Sequence, residues 1–152
     1  LSRLLVHELE TELSQTVVPT RNVRIRAIYL GLLRYNTTTG TLTLRLEDTL
    51  GELNEASNAV NISALGSDTY VHGLFRFDLQ ASIRKDTTYK LTLTSGGGYS
   101  YSSSAFVGWK SDFDFTVDEM RRVPVSYSPS KGYQAPLEYL VVEKKLLRKG
   151  SP

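Results

Sequence analysis

Residues 74–94 alternate apolar and polar side chains twice over. Phe75, Phe77 and Leu79 interleave with Arg76 and Asp78, and Tyr89, Leu91 and Leu93 interleave with Lys90, Thr92 and Thr94. In an extended chain successive side chains point to opposite faces, so each run predicts a strand with one buried and one wet face. The polar stretch 80–86 between them carries Ile83, which can plug the end of a core, and a Lys85-Asp86 pair suited to a turn. The pattern therefore predicts an antiparallel pair. Two strands alone are marginal, and their apolar side calls for a second sheet.

The rest of the chain supplies that cover. Residues 22–34, NVRIRAIYLGLLR, are rich in β-branched and aromatic side chains. Arg24 and Arg26 oppose Val23 and Ile25 in the first half, whereas the second half is apolar on both faces, so this strand should run from a solvated edge into a covered region. Leu42, Leu44 and Leu46 alternate with Thr41, Thr43, Arg45 and Glu47 in the clearest strand of all. Shorter strands are expected around Val60 and Ile62 and over residues 137–145, while Phe106, Val107 and Trp109 restore apolar content and residues 111–120 read as a loop or short strand dense in carboxylates. Residues 95–104, SGGGYSYSSS, read as a loop, and Pro124, Pro129 and Pro136 make 121–136 irregular. Residues 1–13 allow two readings, because Leu5, Leu9 and Leu13 fit a helical face while Glu8, Glu10 and Glu12 fit a strand with an acidic side. About seven to nine short strands without a long helix predict an all-β fold, an antiparallel, jelly-roll-like β-sandwich. Its expected limits are 16–145, preceded by an arm with a short helical turn, or a first strand, over 1–15 and followed by a basic tail over 146–152.

Composition narrows the chemistry. At 152 residues the chain suits one domain with a single core. It has no Cys and two His, which excludes a disulfide framework, a thiolate metal site and a multi-histidine cluster. The net charge of +2, with Lys144, Lys145, Arg148 and Lys149 as the one basic cluster, is too small for a nucleic-acid footprint. No apolar run is long enough for a membrane span, and LSRLLVHELE lacks the three parts of a signal peptide. The chain begins with Leu rather than Met, which fits a processed product or part of a longer protein.

The candidate chemistry is sparse. Asp112, Asp114, Asp118 and Glu119 could form a calcium loop, but calcium takes about six or more oxygens and the glycine and terminal acid of an EF-hand are missing. Alternation with Phe113 and Phe115 makes them the wet face of a strand instead. His72 has no nucleophile motif beside it and reads as structural. No nucleophile, base or metal set can be assembled, so the expectation is a non-enzyme without cofactor or metal. The aromatics offer more. Tyr99, Tyr101, Trp109, Tyr127 and Tyr133 lie in or beside predicted loops, where Tyr and Trp suit protein contacts or stacking on sugar rings, Trp109 having a core reading as well.

LSQTVVPT, VRIRAIYLGLL, TGTLTLRLED, NAVNISAL, HGLFRFDLQASIRKDTTYKLTLTS and SAFVGW, taken together, resemble β-sandwich domains of bacteriophage virion and tail proteins, which are similar to carbohydrate-binding-module sandwiches. The resemblance spans residue 13 to about Trp109 and rests on core spacing and turn chemistry. It implies a structural subunit of a phage particle (tail, baseplate or head decoration), located in the virion. Its expected partners are other virion proteins and copies of itself, with no nucleic acid. The alternative it implies is a module recognising a cell-surface glycan, with Tyr99, Tyr101 and Trp109 as its platform.

Overall fold

The computed structural model describes residues 6–36, 39–65, 73–110, 120–121, 125–126 and 139–143. In chain order its strands are β1 (Val6–Leu9), β2 (Glu12–Val17), β3 (Val23–Tyr35), β4 (Thr41–Asp48), β5 (Asn54–Ala56), β6 (Val60–Asn61), β7 (Gly73–Ile83), β8 (Tyr89–Gly96), β9 (Phe106–Lys110), β10 (Met120–Arg121), β11 (Val125–Ser126) and β12 (Tyr139–Glu143). They form an antiparallel β-sandwich. One sheet runs β1-β9-β3-β12-β10 with β7 also on β3; the other runs β11-β2-β8-β4-β5 with β6 also on β4. The strand expected through Val60 and Ile62 is shorter, because the buried Ile62 opens a 3-10 turn, Ile62–Leu65.

The alternating residues lie between the sheets. Phe75, Phe77, Leu79 and Ile83 of β7 and Ile25, Ile28, Leu30 and Leu32 of β3 face Leu42, Leu44 and Leu46 of β4 and Tyr89, Leu91 and Leu93 of β8 in one core. Side chains with both neighbours dry stay ordered by close packing, and Phe75 meets Phe77 edge to face at 5.0 Å. The later half of β3 is buried on both faces, as its composition predicts. Leu33 and Phe106 are buried outside the central cluster, and Tyr35 packs on Phe106 at 5.4 Å.

The two strands of residues 74–94 do not form the expected pair. β7 lies along β3, whereas β8 lies between β2 and β4 in the opposite sheet, so residues 84–88 bridge the two sheets. Local alternation is the same for a hairpin and for such an arch, since both put the apolar sides inward. The arch is favoured because its backbone groups find acceptors across the gap. Asp86 N–H donates to the Pro19 carbonyl at 2.9 Å, Lys85 N–H to Asn22 Oδ1 at 2.8 Å, and Arg84 N–H to the Tyr89 hydroxyl at 2.8 Å.

The start of the chain is likewise part of the sandwich over its described residues, in place of the projecting arm with a helical turn. β1 pairs with β9 and, after only Glu10 and Thr11, β2 pairs with β8, so one nearly continuous strand changes sheets at a corner. The β1 backbone comes unusually near β9. A Cβ built on Gly108 would run into the His7 carbonyl oxygen and lie 3.2 Å from the Phe106 ring. Gly108→Ala should therefore push β1 off β9 and destabilise the fold by about 1–3 kcal/mol, as overpacking does. Denaturant unfolding checks this, and an unchanged midpoint would show that the strands have room to spare.

Candidate functional site

Tyr99 and Tyr101, two of the aromatics singled out in the sequence, lie at the corner where β1 passes into β2 and β8 into β9. β8 ends in Ser95 and Gly96, and Gly97 and Gly98 turn the chain with φ of 61° and 89°, a left-handed path that side chains resist. The Ser95 backbone N–H and its hydroxyl both donate to the Thr11 carbonyl, each at 2.9 Å. This ties the loop to the point where the first strand bends.

Tyr99 then reaches back across the corner. Its hydroxyl donates to the Leu9 carbonyl at 2.6 Å and accepts from the Val107 backbone N–H at 2.9 Å. Leu9 and Val107 are the last register partners of β1 and β9, so the phenol takes the place of the next ladder rung. The side chain is half-buried against the core, and its base crosses Gly40, where an added Cβ would stand 2.7 Å from the Tyr99 Cβ. Burial raises the phenol's pKa, the Val107 N–H opposes that, and the Glu8 charge adds to it. Tyr99 is thus a brace for the fold rather than a free contact residue.

Tyr101 lies on the outer side of the same corner. It is 37% exposed, its ring centroid is 6.5 Å from that of Phe106, and its hydroxyl donates to Glu8 Oε1. Hydrogen bonding to the Glu8 carboxylate, with desolvation and the Glu8 charge behind it, pushes the Tyr101 pKa up to about 12.

Trp109 corrects the sugar-platform expectation. It is 1% exposed, because it shares the inward face of β9 with Val107, and it stacks on the buried His7 at 5.6 Å between ring centroids. Burial also lowers the His7 pKa, since charging the imidazole there would forfeit hydration. With Trp109 inside and Tyr99 braced, the three residues form no stacking surface. Tyr127 and Tyr133, the acids Asp112, Asp114, Asp118 and Glu119, and His72 all lie outside the described residues. Among the described residues no group of three or more His, Cys, Asp or Glu could hold a metal ion, and no helix is long and apolar enough to cross a membrane.

One exposed apolar residue escaped the sequence reading. Leu50 is 78% exposed at the tip of the β4–β5 hairpin, where Asp48 Oδ1 accepts the Glu52 N–H at 2.9 Å and Gly51 has a φ of 80°. Its signal was a Leu directly before the turn glycine Gly51, between the polar residues Thr49 and Glu52. No family model, no curated protein and no solved structure matches the chain.

Tyr99→Phe strips a donor and an acceptor from the end of the β1–β9 ladder and should cost about 1–3 kcal/mol, more than Tyr101→Phe, whose exposed hydroxyl gives up one solvent-screened bond to Glu8. Equal melting temperatures for the two variants would remove the brace from this account.

The Tyr101 shift has a sign that can be tested. A phenol whose pKa is raised by folding adds stability that is fully present below its ordinary value near 10 and is lost as pH climbs through about 12. In tyrosine ring-carbon NMR, Tyr101 should ionise near 12, and Glu8→Gln should return it towards 10. An unmoved titration in that variant would break the link to Glu8.

Proposed function

We propose that the chain is a non-enzymatic structural subunit of a bacteriophage particle that works through protein–protein contacts. The observation that carries this reading is where the phage-like segments fall. The opening at residues 13–20 contains most of β2, residues 23–33 are β3, Thr39-Gly40-Thr41 is the turn into β4, and residues 83–93 are the arch and β8. Those segments hold the two sheets together, as a building block requires, and the hydroxyls of Tyr99, Tyr89 and Ser95 are engaged with the backbone. A fold of this kind serves many roles, so the role must be sought in the contacts. Leu50 and Tyr101 are the large hydrophobics left exposed among the described residues, and both can bury area against a neighbouring subunit.

The experiment is direct. An antibody against the chain should label phage particles from the source culture in electron micrographs, and sedimentation should show mass rising with concentration. Leu50→Ser with Tyr101→Ser should lower that self-association while the chain remains folded. Label confined to particle-free fractions would overturn the role in the particle, and a strict monomer at high concentration would overturn the homo-oligomer.

A further inference from the structure

At the end of the sandwich where β3 begins and β7 leads into the arch, an open groove of about 380 Å³ lies over the paired strands, with Val23 beside Ile83 and Arg24 beside Ser82. Arg21, Arg24, Arg84, Ser82 and Asn22 line it together with Glu143 of β12. Three guanidiniums thus meet one carboxylate, and that carboxylate is already engaged. Glu143 Oε2 lies 2.5 Å from Arg21 Nη2, an ion pair whose alignment does not make it a hydrogen bond, while Arg21 Nη1 donates to the Asn22 carbonyl at 3.2 Å. Arg21 is therefore held in place by its neighbours. Arg24 and Arg84 are exposed and make no ion pair among the described residues.

The uncharged lining has the same polarity. Asn22 accepts the Lys85 N–H with Oδ1, which leaves its Nδ2 as a donor, and the Ser82 hydroxyl can donate. A second groove adjoins through Arg24 and Ser82 but contains Glu55, so the site for negative charge is bounded on that side. The donors sit side by side on two neighbouring strands, more than one guanidinium among them. A planar carboxylate is satisfied by one guanidinium fork, whereas a phosphate dianion has oxygens enough to accept from several of these donors at once. Among the described residues lining the groove there is no aromatic ring to stack on a base or a sugar face.

We propose that this groove is a binding site for a phosphate group, recognised by Arg21, Arg24 and Arg84. The site goes beyond the subunit role and stands or falls independently of it, because binding is read on the isolated chain. The test is calorimetric titration of the full chain at constant ionic strength with glycerol phosphate, inorganic phosphate and acetate. Glycerol phosphate should bind saturably, and Arg24→Gln with Arg84→Gln should weaken it roughly tenfold or more, as expected for lost charge-assisted hydrogen bonds. Arg45→Gln, on the other sheet, should not weaken it, and all variants should keep the parent melting temperature without ligand. Both phosphates binding alike would make the free ion a ligand of the same site, and binding of the ester alone would assign the site to phosphate esters. Acetate binding as well as phosphate, equal loss in Arg45→Gln, or no saturable binding would each overturn the proposal.

Discussion

Wherever this chain passes from one sheet to the other, backbone groups at the ends of ladders lose their strand partners, and the sandwich depends on something else taking them up. Buried amides and carbonyls without partners cost as much as several favourable contacts yield. The crossings are numerous, because β1 to β4 alternate between the sheets, as do β7, β8 and β9. At two of them a tyrosine hydroxyl supplies the missing partner. Tyr89 accepts the Arg84 N–H at the arch, and Tyr99 stands between Leu9 and Val107 at the opposite corner. Ser57 does the same for the Leu44 N–H beside β4, with its hydroxyl at 3.0 Å.

This dependence explains what the sequence disclosed and what it withheld. Period-two alternation reports which face of a strand is dry, and Leu42, Leu44, Leu46, Phe77 and Leu91 are all buried as it predicts. It does not report which strand lies alongside, so residues 74–94 suit a hairpin as well as the arch they form. What decides between them is a set of acceptors at Pro19 and Asn22, far away in sequence. Tyr99 was opaque for the same reason, since the carbonyl it serves lies 90 positions earlier. Trp109 was more legible than the loop beside it suggested. It keeps step with Val107, and one shared inward face for both was open to inference from spacing alone.

Charge is distributed with the same economy. Glu8 on the outer side of β1 accepts a hydrogen bond from the Tyr101 hydroxyl, His7 on its inner side stacks on Trp109, and their separation is one residue of a strand. The corner thus holds an acid and an imidazole apart through the pleat alone. At the far end the cations exceed the acids that face them, which is why that end, not the aromatic corner, has the features of an ion site.

The β1–β9 pairing also sets a timetable for synthesis. Val6 pairs with Lys110, so on a ribosome β1 waits for about 100 further residues, some 5–20 s at ordinary elongation rates, before its partner exists. During that wait the first strand is an unpaired template for any other extended chain. Glu8, Glu10 and Glu12 put three negative charges on its length, and like-charged nascent chains repel one another at close approach. The acidic row that made this stretch hard to classify would set like charges against each other wherever two unfinished copies met along it.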